Sequence, residues 1–182
     1  MKKINFTKMA GAGNDFIVID AAPGLNYKKL AMKACDRTEG IGADGLLILD
    51  RSSKADYKMR IINRDGSEAE MCGNGARCVA AYIVRNKKPA RKMFTIETLA
   101  GIIKGTANGQ IARVQLSPLS GYEPEIAIDV NGRVLHVSYI DTGVPHAIVF
   151  VEGLEGIDVA GIGCVIRYHN RFQRRGTNVD FV

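Results

Sequence analysis

The chain has 182 residues, of which 46% are hydrophobic, enough for one ordinary domain or two small ones with a packed core. Its net charge of +6 comes without a recognisable nucleic-acid-binding motif, so we expect no nucleic-acid partner. No apolar stretch is long enough to cross a bilayer, and the N-terminus lacks the apolar core of a signal peptide. We therefore expect a cytoplasmic protein without membrane contact, whose four cysteines are reduced.

The first part of the chain alternates short strands with glycine-rich segments. Strands are predicted at residues 4–9 and 16–20, joined by the glycine-rich residues 10–15. A helix is predicted at 27–37, where apolar residues recur on one face. Further strands are predicted at 46–49, 57–62, 94–98, 102–106 and 111–117, and a second helix at 76–85.

The second part begins with a predicted hairpin, residues 126–130 and 134–139 around Asn131-Gly132, a dipeptide typical of two-residue turns. A strand at 147–151, a helix at 157–172 and a strand at 177–182 follow. In the first part, Cys72 follows the predicted helix end at residue 37 by 35 residues. If the two parts repeat one another, the same interval after the predicted helix end at residue 172 puts the counterpart of Cys72 at about residue 207. We therefore expect two domains, 1–117 and 118–182, the second of them incomplete because a C-terminal piece is missing.

The segment from Met71 to Cys78 combines a thiol, two glycines and an amide just before a predicted helix. A helix N-terminus favours negative charge and so stabilises a thiolate, and its free N–H groups can hold a carboxylate. Cys72 is therefore a candidate catalytic thiol. A lone cysteine is more often a small buried hydrophobe, and that is our interpretation of Cys35, Cys78 and Cys164. No paired CxxC spacing occurs, so we expect no zinc site.

Six segments, in their order along the chain, resemble the diaminopimelate epimerase family. They are KMAGAGNDF at 8–16, GIGADG at 40–45, NRDGSE at 63–68, CGNGARC at 72–78, TGVPH at 142–146 and GTNV at 176–179. The resemblance implies an α/β fold of the α+β type, with two similar domains of antiparallel strands curled around a central helix and the active site between them. It also implies an isomerase that uses neither pyridoxal phosphate nor a metal and commonly forms homodimers.

The implied reaction converts L,L-diaminopimelate to meso-diaminopimelate, in lysine and cell-wall precursor synthesis. By the resemblance Cys72 is one of two catalytic thiols, and His146 lies near the catalytic centre. Backbone N–H groups at Gly73 and Asn74 suit the carboxylate next to the reacting carbon. The resemblance assigns the other end of the substrate, a diamino dicarboxylic acid, to Asn14, Asn63 and Asn178. The alternative is that Asn14 and Asn63 are turn residues and that His146 only caps a turn.

The family's second thiol lies in a Cys-Gly-Thr-Gly or Cys-Gly-Ser-Gly segment, and this sequence contains none. Cys164 does not replace it, because no glycine–amide pattern follows it. Val144 stands where many members have asparagine, and Gly45 where some have glutamine. We therefore expect the isolated chain to be inactive. Two alternatives stay open: a non-catalytic, ligand-binding half-site, and a proline-type racemase or phenazine-pathway isomerase of the same superfamily.

Overall fold

The computed structural model describes residues 3–109, 111–116, 118–172 and 176–182. The chain forms two compact units, Met1–Ser117 and Pro118–Val182. The predicted end of the strand at residues 111–117 lies outside the described residues. None of the helices in the described ranges is long and apolar enough to cross a membrane.

The first unit is built on a curled sheet of eight strands with two helices. The elements are β1 (Thr7–Gly11), β2 (Asn14–Asp20), α1 (Tyr27–Ala34), β3 (Gly45–Asp50), β4 (Tyr57–Asn63), β5 (Glu68–Ala69), α2 (Gly73–Lys87), β6 (Met93–Thr98), β7 (Gly101–Asn108) and β8 (Ile111–Gln115). The strand order in the sheet is β1-β2-β3-β4-β6-β7-β8, and β5 pairs with β4. All neighbours are antiparallel except β2–β3 and β4–β6, which are parallel.

Each face of this sheet is covered by one helix. Leu47 of β3 packs with Val79 and Ile83 of α2 in one buried cluster, while the neighbouring Leu46 packs with Ala31 of α1 in another. This alternation follows from the two-residue period of a strand. Helix α2 contacts β1 and β8, the two ends of the sheet path, so the sheet curls around it. The predicted α+β fold, with strands curled around a central helix, is confirmed.

The second unit is a four-stranded sheet with a helix against it. Its elements are β9 (Ser120–Val130), β10 (Arg133–Asp141), β11 (Pro145–Val149), α3 (Val159–Arg167), a 3₁₀ turn (Asn170–Phe172) and β12 (Asn178–Phe181), and the strand order is β12-β11-β10-β9. Strands β11 and β12 are parallel, and the other pairs are antiparallel. The predicted turn at Asn131-Gly132 is confirmed: both residues have positive φ, 56° and 80°, as this type of hairpin turn requires.

Several helix ends differ from the prediction, among them the end of α3 at Arg167 instead of residue 172, and two of the differences have visible reasons. Helix α1 ends at Ala34 instead of Arg37, because the carbonyl of Ala34 accepts N–H bonds from Ile41 and Gly42 of the returning loop, at 2.9 and 3.0 Å. Helix α3 begins two residues later than predicted, because the carboxylate of Asp158 caps it by accepting the N–H of Gly161 at 2.8 Å.

Candidate active site

Cys72 is the N-cap residue of α2, with an extended backbone at φ −149° and ψ 113°. Its Sγ accepts the N–H of Gly75 at 3.4 Å, and its carbonyl accepts the N–H of Ala76 at 2.8 Å. The side chain is half-buried, and the first turn of α2 contains no acidic residue. The sulfur thus lies at the positive end of the helix dipole, and no acidic side chain of the first turn opposes it.

The two glycines after Cys72 have different surroundings. A Cβ placed on Gly73 would meet no atom within 4 Å, whereas one on Gly75 would lie 3.1 Å from Cδ2 of the buried Leu47. The N–H groups at the start of a helix have no acceptor within it. The space beside Gly73 is therefore open, next to N–H groups of Gly73 and Asn74 that can receive an anion.

Asn14 and Asn74 are joined by a direct hydrogen bond. Nδ2 of Asn74 donates to Oδ1 of Asn14 at 2.7 Å, and Nδ2 of Asn14 donates to Oδ2 of Asp44 at 3.0 Å. A guanidinium N–H of Arg77 donates to Oδ1 of Asn74. Two of the predicted substrate-binding residues therefore meet beside the first turn of α2, although 60 positions separate them in the chain.

A cluster of charges lies behind Asn14. Arg37 donates to Asp15 and to Asp44 at 2.8 Å each, and Lys8 forms an ion pair with Asp15 at 2.8 Å. The hydrogen bonds from Arg37 and Lys8 hold the pKa of Asp15 far below its usual range. The hydrogen bond from Asn14, together with those from the Asp15 N–H and Arg37, lowers the pKa of Asp44. Both carboxyls are therefore ionised at neutral pH.

Asn63 is the last residue of β4 and Asn14 is the first residue of β2, so both lie at the same end of these strands. The register pairs Gly45 with Asn63 on one side and with Phe16 on the other. Nδ2 of Asn63 donates to Oγ of Ser67 at 3.0 Å, and its backbone N–H bonds the Ser67 carbonyl at 2.8 Å. Asn63 therefore has a turn-forming role, and this bond occupies one of its two side-chain N–H groups.

The two remaining predicted residues belong to the second unit. His146 and Asn178 are register partners on the parallel strands β11 and β12. Nδ1 of His146 lies 2.7 Å from Oδ2 of Asp180, and Asn178 is exposed. The structure thus brings Cys72, Gly73, Asn74 and Asn14 together in the first unit, and His146 with Asn178 in the second.

The four cysteines are free and differ in exposure. Cys35 and Cys78 are buried as predicted, and burial raises the pKa of both thiols. The prediction for Cys164 is wrong, because it lies exposed on α3. No three His, Cys, Asp or Glu side chains within the described residues are grouped as metal ligands.

Sequence reasoning missed Asp44, Arg37, Arg77 and Asp180 as partners of the predicted residues. Asp44 and Arg77 lie within two of the glycine-containing segments singled out in the sequence, GIGADG and CGNGARC. Their contacts with Asn14 and Asn74 depend on how the sheet and α2 meet, and no local pattern encodes that.

Comparison with known proteins gives consistent matches. Residues 6–117 match the family model described as diaminopimelate epimerase. Diaminopimelate epimerases of Caldanaerobacter subterraneus subsp. tengcongensis and Carboxydothermus hydrogenoformans are each 44% identical, over 98% of this chain and 71% of theirs. A probable proline racemase structure from Agrobacterium radiobacter K84 matches with a TM-score of 0.61 at 20% identity, covering 92% of this chain and 55% of that one. At that identity the last match shows the fold alone.

Proposed function

Because this chain belongs to the diaminopimelate epimerase family, we propose that it acts in the cofactor-independent conversion of L,L-diaminopimelate to meso-diaminopimelate, with Cys72 as one of two proton-transferring thiols. The resemblance drawn from six sequence segments is confirmed, and with it membership in a family of isomerases. The observation that carries the proposal is the sulfur of Cys72 at the N-cap of α2, beside the open space at Gly73.

Inversion of an α-carbon requires a base on one face and an acid on the other. The Cys72 thiolate removes the α-proton, and the electron pair of the broken C–H bond spreads onto the adjacent carboxylate. A thiol on the opposite face then donates its proton to the carbon and becomes the thiolate. The N–H groups of Gly73 and Asn74 support this step, because they stabilise the negative charge that develops on the carboxylate.

The far end of the substrate carries an ammonium and a carboxylate, and primary amides bind both because they donate and accept. We assign this end to Asn14 and Asn63 in the first unit and to Asn178 in the second, with His146 near the catalytic centre. The contact between Asn14 and Asn74 supports the assignment, since it ties one amide of the far end to the turn that carries the thiol.

The second thiol is the part of the mechanism that no motif of this sequence supplies, so this chain contributes one thiol. We further propose that the units Met1–Ser117 and Pro118–Val182 correspond to the family's two similar domains. The cytoplasm as location and a homodimer as assembly belong to the same proposal, on the basis of the family resemblance.

Alkylation by iodoacetamide, mapped by peptide mass spectrometry, tests the half-site directly. We expect L,L-diaminopimelate to slow the alkylation of Cys72, while the exposed Cys164 of the same molecule reacts at an unchanged rate. Proline serves as the second ligand, and protection by proline in place of diaminopimelate would favour a proline-type racemase. Equal rates for Cys72 with and without either ligand would contradict the proposal.

Exchange of the substrate's α-proton, followed by proton NMR in D₂O, tests the chemistry. Any exchange that the protein catalyses must disappear in Cys72→Ser, because an alcohol is too weakly acidic to replace the thiolate at neutral pH. Exchange that persists unchanged in this variant removes Cys72 from the mechanism. Protection of Cys72 without exchange in the unmodified chain identifies a half-site that binds the substrate without removing its α-proton.

A further inference from the structure

A continuous chain of hydrogen bonds joins four side chains at the candidate site, those of Arg77, Asn74, Asn14 and Asp44. It starts at the Arg77 guanidinium, which donates to Oδ1 of Asn74. Nδ2 of Asn74 then donates to Oδ1 of Asn14 at 2.7 Å, and Nδ2 of Asn14 donates to Asp44 at 3.0 Å. Each amide thus uses its oxygen on one side and its nitrogen on the other.

The two ends of this chain set its direction. A guanidinium only donates hydrogen bonds and an ionised carboxylate only accepts them. If the Asn14 amide were turned over, its oxygen would face the Asp44 carboxylate and its N–H₂ would face that of Asn74. Only one orientation of the two amides therefore satisfies all three contacts, because a buried hydrogen-bonding group without a partner is unfavourable.

Asp44 is itself held in place from three directions. Arg37 donates to its Oδ1 at 2.8 Å, the backbone N–H of Asp15 donates to its Oδ2 at 3.1 Å, and its own N–H bonds the Asp15 carbonyl at 2.9 Å. Lys8 and Arg37 both pair with the neighbouring Asp15, so two cations balance the two carboxylates. The acceptor that faces Asn14 is therefore fixed by a network that lies outside the proposed substrate contacts.

We propose that Asp44 is a positioning residue whose oxygen fixes the Asn14 amide, so that the site distinguishes the configuration of the substrate's non-reacting carbon. After its two observed bonds, Asn14 retains one N–H and one lone pair in defined places. An amino-acid end must present its ammonium to the acceptor and its carboxylate to the donor, and mirror-image ends present them in opposite order. This inference rests on the proposed function, because it takes Asn14 as a substrate contact.

Two substitutions at position 44 separate positioning from simple charge pairing. Asp44→Ala removes the acceptor and frees the Asn14 amide to rotate. Asp44→Asn removes the charge that pairs with Arg37 but keeps an oxygen that accepts from Asn14 and from the Asp15 N–H. Asp36→Ala is the matched control, since Asp36 lies in the same loop and its carboxylate accepts the neighbouring N–H groups of Thr38 and Glu39.

The measurement is the affinity of the 182-residue chain for L,L- and D,D-diaminopimelate by NMR titration. In Asp44→Ala we expect the preference for the L,L isomer to fall about tenfold, which corresponds to about 1.4 kcal/mol. Asp44→Asn and Asp36→Ala should keep the preference of the unmodified chain within about threefold. An unchanged preference in Asp44→Ala overturns the inference, and so does an equal loss in Asp44→Asn, which would indicate a role through charge alone.

The side-chain amide signals of Asn14 and Asn74 test the inference without any ligand. We expect Asp44→Ala to shift both signals and to speed the exchange of their protons with solvent, while Asp44→Asn and Asp36→Ala leave the Asn74 signal in place. If the unmodified chain binds neither isomer, the proposed function fails, and these signals still decide whether Asp44 orients the amides. An Asn14 signal that is unmoved in a folded Asp44→Ala variant overturns the inference.

Discussion

Two glycines in the first turn of α2 provide a sharp test of how the Cys72 site is built. Gly73 and Gly75 both lie in α2, and neither has a positive φ, so alanine is compatible with both backbone conformations. Alanine favours the helix over glycine by about 0.5–1 kcal/mol in a helix interior, and we take about 0.5 kcal/mol for the first turn. Any larger difference between the two variants must therefore come from their surroundings.

Those surroundings are opposite. At position 73 the added Cβ meets no atom within 4 Å, so Gly73→Ala should raise the free energy of unfolding by about 0.5 kcal/mol. At position 75 the Cβ lies 3.1 Å from Cδ2 of Leu47, a residue with no exposed surface that is packed on all sides. Overpacking of this kind costs about 1–3 kcal/mol, so Gly75→Ala should lower the free energy of unfolding by about 0.5–2.5 kcal/mol.

Urea unfolding followed by far-ultraviolet circular dichroism measures both values, with unchanged slopes as the sign that the unfolded states are comparable. Gly73→Ala should also weaken the protection of Cys72 by diaminopimelate, because its methyl group enters the open space beside the thiol. The variant is then more stable and yet impaired in binding. If Gly73→Ala proves less stable than Gly75→Ala, the described packing of this turn is wrong; undiminished protection would remove Gly73 from the site.

Three further predictions concern the ends of α2 and the charge cluster. Lys88 follows α2 in the left-handed region, with φ 47° and ψ 61°, which glycine adopts more easily than lysine. Lys88→Gly should therefore stabilise the protein by about 0.5–1 kcal/mol in urea unfolding, whereas Lys87→Gly, at the last helical residue, should destabilise it by about 1 kcal/mol. The pKa of Asp15 is lower in the folded than in the unfolded state, so its ionised carboxylate stabilises the fold. This contribution is complete above the unfolded pKa and is lost as the pH falls from about 4 toward the folded pKa. The deficit of Asp15→Asn in urea midpoint should therefore shrink between pH 6 and pH 3, and a constant deficit would contradict this. Cys72→Ser should keep the cap to the Gly75 N–H, while Cys72→Ala loses it, so that Cys72→Ala is less stable than Cys72→Ser by about 0.5–2 kcal/mol in thermal unfolding.

The central strands and turns could be predicted because their signals are local. Residues 46–49 form a continuous apolar run, and in the structure both faces of β3 are covered. Strand β9 was predicted from residue 126, but it begins at Ser120. Its first residues are exposed and have no apolar pattern, and the antiparallel pairing of Ser120 with Asp141 and of Glu123 with Tyr139 holds them. Backbone pairing along the outer part of a long hairpin leaves no trace in the composition of the segment.

The part of the site that depends on local sequence could also be predicted. The sequence placed Cys72 before a helix, because glycines and an amide precede an apolar-periodic stretch. It placed the start of that helix at Ala76, three residues late, because glycines ordinarily mark a loop. The bond from Asn14 to Asp44 joins residues 30 positions apart and follows from the parallel pairing of β2 with β3. Such a contact needs the assembled sheet, so the network behind the asparagines was invisible in the sequence.

The choice of cysteine as the cap of α2 is itself informative. Serine, threonine, aspartate and asparagine are the preferred N-cap residues, because their oxygens accept the free N–H groups well. Sulfur is a weak acceptor, and here it accepts the N–H of Gly75 at 3.4 Å. A serine would satisfy the helix better, so local stability does not explain the residue at position 72. Sequences depart from local rules mainly where a site requires it, and a thiolate that can remove a proton is such a requirement.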